Sequence, residues 1–188
     1  MNQYAAPLDL QLSLFNSPLD PVSFLKSKNA EPLRHFKLDK TADLSTELKE
    51  FFAAHNQEIS LCEIFYTPPN DNLFIHVDGK KIDDIAKLNW IFGGVPSQMH
   101  WYSPLPDINH AVENTPLGTP YLFYNPKKVQ LEHSQSLTGP NLVQVGEPHN
   151  ITNGDQERFC VSLVFYDATL NRRPTMAEAK EIFKKYLK

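Results

Sequence analysis

The chain has 188 residues, of which 41% are hydrophobic and 11% aromatic, with a formal net charge of −4; this is the make-up of a globular protein long enough to bury a sizeable core in one domain. The charges are mixed rather than blocked, which leaves no strong nucleic-acid footprint, and no stretch approaches the about 18 consecutive apolar residues of a membrane-spanning helix. Fifteen prolines against seven glycines suit many short strands separated by ordered loops, and so a mainly β chain.

At the N-terminus, MNQYAAPLDLQLSLF lacks a basic segment and a continuous apolar core, so no export signal is expected. The two cysteines, Cys62 and Cys160, fall in expected strands and read as reduced, buried residues of a cytoplasmic protein. Residues 1–39 alternate in short runs broken by Pro7, Pro18, Pro21 and Pro32; Leu10, Leu12 and Leu14 have strand period, as do Phe36 and Leu38. They fit edge strands on the outside of a barrel or, equally, an arm that joins copies of the chain into a homo-oligomer. A helix is expected over 44–55, capped by Ser45, with Glu47 and Glu50 in its N-terminal half and an apolar stripe of Leu48, Phe51 and Phe52. Residues 1–57 thus form an N-terminal layer with a buttressing helix.

From Glu58 a strand places Ile59, Leu61, Glu63 and Phe65 on one face and Ser60, Cys62, Ile64 and Tyr66 on the other, with Tyr66 expected to point inward. The loop TPPNDN turns the chain into residues 73–79, where His76 and Asp78, two apart on a strand, project from one face. Residues 86–92 and 98–102 read as an antiparallel pair joined by Gly-Gly-Val-Pro-Ser. Their Trp90, Trp101 and Tyr102 suit the core, with a substrate groove as the alternative. Residues 103–120 form a proline-punctuated loop of the kind that serves as a lid, and substrate contacts are expected there. Two further strands follow at 121–124 and 128–133.

Residues 141–145 read as a short strand, Glu147-Pro148 delivers His149 at its end, and Asn153-Gly154-Asp155 is a hairpin signal that would set His149 and Arg158 on two antiparallel strands. Along the second strand Arg158, Cys160 and Ser162 share one face and Phe159, Val161 and Leu163 the other. An arginine and a serine on one face make an anion clamp. An amphipathic helix over 176–187 closes the chain, capped by Thr175, with Glu178 early, Lys184, Lys185 and Lys188 late, and Ile182, Phe183 and Tyr186 to dock it.

With His149 brought across a barrel to His76 and Asp78, two imidazoles and a carboxylate form a facial triad. Such a triad leaves three sites of an octahedral Fe(II) open for a chelating cosubstrate and dioxygen. His55, His100, His110 and His133 have no carboxylate two positions on along a strand and read as ordinary polar residues.

In these motifs the chain resembles the Fe(II)- and 2-oxoglutarate-dependent dioxygenases, most nearly their prolyl-hydroxylase-like branch. That family's H-x-D, distal H and a basic residue about nine positions on are filled by His76, Asp78, His149 and Arg158. Ser162 stands four after the arginine and Tyr66 ten before the first histidine, where the branch places a hydroxyl and a tyrosine on the cosubstrate. The resemblance covers roughly residues 59–167. It departs at 88–92, where the family often sets another tyrosine and this chain offers Asn89.

The resemblance implies a double-stranded β-helix, a jelly-roll or cupin-like barrel over 58–167 with flanking helices, the last at 174–188, in a single domain of 1–188. It implies Fe(II) on His76, Asp78 and His149, and 2-oxoglutarate with its far carboxylate on Arg158, helped by Ser162 and Tyr66, with Asn89 on the remaining side. Dioxygen would be consumed and an unidentified substrate hydroxylated, with release of succinate and CO2. A protein side chain, a nucleotide and a small metabolite all stay open as that substrate. Two other readings share the barrel. One is a non-catalytic structural or interaction module, virion-associated if the chain is phage-encoded; the other is a metal-binding cupin without 2-oxoglutarate, which would not need Arg158.

Overall fold

The computed structural model describes residues 2–29, 34–106, 111–115 and 117–188; His110 and part of the 103–120 segment lie outside the described residues. Among the described residues, twelve strands run β1 (Ala5–Pro7), β2 (His35–Lys37), β3 (Gln57–Thr67), β4 (His76–Asp78), β5 (Ala86–Gly93), β6 (Gln98–Pro104), β7 (Ala111–Asn114), β8 (Pro120–Phe123), β9 (Val129–Gln135), β10 (Gly139–Gln144), β11 (His149–Thr152) and β12 (Arg158–Asp167), with helices α1 (Pro21–Ser27), α2 (Thr46–Ala54) and α3 (Met176–Ile182). They form two antiparallel six-stranded sheets, ordered β1-β10-β5-β12-β3-β2 and β7-β8-β4-β11-β6-β9. From β3 to β6 the chain alternates between the sheets, stays in the second sheet through β9, and alternates again from β10 to β12, which is the winding of a double-stranded β-helix. The β7–β8 pair extends the second sheet beyond β4.

Alternation along the strands builds two cores. On β12, Phe159, Val161, Leu163 and Phe165 join an outer core with Leu10, Leu14, Leu25, Leu48, Phe52 and Phe183 from the N-terminal segment and the helices. Cys160 faces the space between the sheets, with Ile91, Val143, Met99 and Trp101. Trp90 joins the outer core and Trp101 is fully buried between the sheets, so both tryptophans are core residues. A strand that is apolar on both faces needs cover on both sides, and this corrects two expected hairpins. β5 pairs with β10 and β12 rather than with β6, and β6 pairs with β11 and β9. Likewise β11 and β12 lie in different sheets, and residues 153–157 carry the chain from one to the other.

Helices α1 and α2 and the segment that carries Leu10 and Leu14 cover the outer face of the first sheet. Leu10 and Leu14 are buried there without forming a strand, whereas Phe36 does lie in β2, against β3. Helix α1 was not expected, although Asp20 at its cap and Pro21 at its first position are a recognised start signal. The 103–120 segment is not wholly loop, because β7 pairs with β8 along it. Helix α3 ends at Ile182 and continues as a 3-10 turn, with a capping box between Thr175 and Glu178. Phe183 is fully buried and stacks on Phe51 at 5.4 Å. No helix among the described residues is long and apolar enough to cross a membrane.

Helix α2 starts at Ser45, whose Oγ accepts from Leu48 N at 3.0 Å and donates to Ser13 O. Ser45→Ala removes both bonds and should lower the unfolding free energy by about 1–2 kcal/mol in urea titration, with an unchanged slope.

Candidate metal centre

β4 and β11 meet through one register pair, His76 opposite His149, continued upstream by an isolated bridge between Asn72 and Thr152. Directly opposed residues share a face, and the two imidazole centroids lie 4.5 Å apart. Asp78, two positions along β4, faces the same way. One ligand atom from each of His76, Asp78 and His149 lies within 4.8 Å of the others, and His76 Nε2 is 3.5 Å from Asp78 Oδ1. Both histidines are oriented alike. Nδ1 of His76 faces Phe74 O at 3.0 Å and Nδ1 of His149 faces Glu147 O at 2.8 Å. A carbonyl only accepts, so each Nδ1 carries the proton and each Nε2 is left bare for a metal.

The charges suit ligation. Burial, and then the neighbouring His76, push the His149 imidazole down to about 4, so at neutral pH it is unprotonated, as a ligand must be. Burial alone would raise Asp78, but the Lys87 ammonium beside it outweighs burial and holds the carboxyl well below its usual range. Lys87 Nζ sits 2.8 Å from Asp78 Oδ2. The carboxylate is thereby divided, with Oδ1 toward the histidines and Oδ2 on the lysine.

On the inner face of the first sheet, Arg158, Cys160 and Ser162 follow one another along β12, and Asn89 of β5 lies opposite Ser162. Arg158 is only 2% exposed. Its stem rests on Gly94, where an added Cβ would come within 2.6–2.9 Å of Arg158 Cβ, Cγ and Cδ, and whose φ of +68° itself favours glycine. Nε and Nη1 of Arg158 and Oδ1 of Asn89 are buried with no hydrogen-bond partner among the described residues. Tyr66 does not join them. It lies opposite Phe159, 5.1 Å from its ring, in the outer core. Counting ten residues back from His76 crosses a turn whose length fixes no face; the alternation of β3 turns Phe65 and Thr67 inward instead.

A cavity of about 300 Å³ opens on His76 and Asp78. Arg158, Ser162, Asn89 and Tyr66 are not among its lining residues, whereas Glu63, Lys87, His35 and Thr119 are. Glu63 is buried, its Oε1 2.9 Å from His35 Nε2 and 3.1 Å from Thr119 Oγ1, with Lys87 Nζ 3.8 Å from Oε2. Burial raises its pKa, but the His35 hydrogen bond and Lys87 more than offset that and hold it below the ordinary value. Sequence reasoning missed this group. Its signals were an acid inside the apolar alternation ISLCEIFY, and Lys87 and Asn89 sharing one face of AKLNWIF. The 103–120 segment contributes Asn114, Thr115 and Thr119 to the cavity wall. The other described histidines are engaged away from the triad: His55 with Phe51 O, His100 with Ser134 and Thr152, His133 beside Asn2.

No family model matches the sequence, and no curated protein matches it. Among solved structures, a prolyl-4-hydroxylase from Pseudomonas putida is similar at 14% identity over 81% of this chain and 84% of that one, with a TM-score of 0.44. A 2OG-Fe(II) oxygenase family oxidoreductase from Burkholderia pseudomallei is similar at 10% identity over 70% of this chain, with a TM-score of 0.38. The match spans 55% of that protein's own length. A cupin 2 domain-containing protein from Halorhodospira halophila is similar at 8% identity over 95% of this chain and 87% of that one, with a TM-score of 0.33. Identities this low leave function to be read from the residues of this chain.

Proposed function

We propose that the protein is an Fe(II)- and 2-oxoglutarate-dependent dioxygenase. The observation that carries this is the triad itself: His76, Asp78 and His149 gathered within 4.8 Å, both imidazoles presenting Nε2 and the carboxylate presenting one oxygen. Three ligands from adjoining strands, grouped on one side, suit an octahedral ion with open positions. The cosubstrate fits a second observation. A buried guanidinium with two nitrogens unpaired among the described residues calls for an anion, and a carboxylate answers it with paired hydrogen bonds.

His76 Nε2, Asp78 Oδ1 and His149 Nε2 would hold the iron, and Arg158 and Ser162 the far carboxylate of 2-oxoglutarate. Asn89, beside Ser162, offers its free Oδ1 to a donor. When bound, the iron and 2-oxoglutarate supply oxygen activation, ending in hydroxylation of a C–H bond with release of succinate and CO2. The protein's own part is binding and orientation. Phe74 O and Glu147 O fix the imidazoles, Lys87 keeps the carboxylate turned, and Trp101 with Cys160 fills the space between the sheets and excludes water. No side chain needs to act as a general base. Both cysteines are free and buried, in keeping with a reducing, intracellular setting.

The test is to load the full chain anaerobically with Fe(II), add 2-oxoglutarate, admit oxygen and measure succinate. One iron per chain and succinate formed only with both additions is the expected result. Iron bound without affinity for 2-oxoglutarate would overturn the assignment in favour of a cupin.

A further inference from the structure

The cavity beside the triad contains a charged group that the dioxygenase chemistry leaves without a task. Glu63 is 1% exposed, and every group around its carboxylate lines that cavity: His35 and Thr119 at Oε1, Lys87 on the side of Oε2. Oε1 is engaged twice, but Oε2 accepts no hydrogen bond among the described residues, and His35 Nδ1 has no partner there either. Among the described residues, Glu63 Oε2 is thus a buried acceptor without a donor. Arg34 is paired with Asp71, and Lys87 Nζ lies closer to Asp78 Oδ2, at 2.8 Å, than to Glu63 Oε2, at 3.8 Å, so Oε2 holds only a long ion pair. At the rim, Phe74 is 47% exposed, with Tyr121 5.2 Å and His76 5.2 Å from its ring. Aromatic faces attract cations.

We propose, resting on the dioxygenase reading, that this cavity receives the primary substrate and that Glu63 selects it, the group it takes being a compact aliphatic cation, an ammonium or guanidinium that donates N–H to Glu63 Oε2 beside the metal ligands. At about 300 Å³ the space is at the small end for ligand clefts and suits one long side chain or a small amine. Lys87 does not oppose such a cation, since Asp78 at 2.8 Å takes up its charge. An anionic group would face the Glu63 carboxylate instead.

The test is NMR titration of the full chain, metal-free and Zn(II)-loaded, with n-butylammonium, n-butanol and n-butyrate as probes of equal length and different charge. n-Butylammonium should bind at least about tenfold more tightly than either of the others, as a hydrogen bond to a charged group requires, with shifts at Glu63, Phe74 and Tyr121. Glu63→Gln should remove that preference, and Phe74→Ala, at an exposed site, should weaken the ammonium several-fold. Equal binding of the three probes, tighter butyrate, or a preference that survives Glu63→Gln would overturn the proposal. Should Glu63→Gln fail to fold, the order of probes in the wild type and the effect of Phe74→Ala decide it. These readouts use neither iron, 2-oxoglutarate nor turnover, so failure of the dioxygenase assignment and failure of the cation pocket are seen separately.

Discussion

His149→Ala should abolish stable metal binding. The variant keeps His76 and Asp78, which come from one strand, and loses the ligand that faces them from β11. Changing even a group that merely supports a ligand commonly costs 10–100-fold in affinity, so losing one of three ligands should exceed about 100-fold. His149 is the informative position because the alternatives disturb more. Asp78→Ala would strand the buried Lys87 ammonium, at a cost of about 3–5 kcal/mol in stability, and a loss of metal would then be hard to separate from a loss of fold. His149→Ala removes a neutral ring whose hydrogen bond among the described residues is to Glu147 O. Metal content after dialysis is the measurement, with the melting temperature as a second. Wild type should gain about 2.7 kcal/mol of stability at a free metal concentration of 100 Kd, and the variant none. A variant that retains one ion per chain would show that the triad is not the site.

Arg158→Met should separate two properties by sign. With 2-oxoglutarate present, the substitution removes the paired hydrogen bonds to its far carboxylate and should cost about 2–5 kcal/mol of cosubstrate affinity, as when a buried ion loses its partner. Without cosubstrate, wild-type Arg158 buries a guanidinium whose Nε and Nη1 are unpaired among the described residues. Methionine, close in length and apolar, should therefore leave the free protein as stable as before or more so. Metal binding through His76, Asp78 and His149 should persist. Ser162→Ala should cost only about 1 kcal/mol of affinity, the net worth of a neutral hydroxyl donor. Anaerobic titration of the Fe(II)-loaded proteins with 2-oxoglutarate, alongside urea unfolding of the free proteins, reads both quantities. Unchanged affinity in Arg158→Met would rule out its role as the carboxylate partner.

Much of this was legible because strands state their faces. The two-residue spacing of His76 and Asp78, and the alternation of Arg158, Cys160 and Ser162 against Phe159, Val161 and Leu163, needed only the period of a strand, and the structure places them accordingly. Tyr66 was misplaced because a spacing measured across a turn carries no parity. The two false hairpins arose because a Gly- or Asn-rich reversal reads the same whether the next strand joins its own sheet or the facing one; only the two-faced burial of β5 and β12 decides that. Glu63, Lys87 and His35 went unseen because their link is across strands. His35 and Glu63 stand 28 positions apart in the chain and 2.9 Å apart in space, and no local pattern encodes such a pair.

The short seam between β4 and β11 gives the triad a mechanical side. Two ligands lie on one bank and the third on the other, roughly seventy residues away along the chain, where the strands share a single register pair. An ion there is a clasp, closing a long loop at the thinnest join of the second sheet, and cross-links over long loops restrain the open chain most. The wing formed by β4, β8 and β7 carries Tyr121 out to the cavity mouth. Fastening the clasp and steadying that wing are then one equilibrium seen from two ends, so whatever docks against the wing and favours the closed seam also tightens the grip on the ion, by an equal factor in each direction.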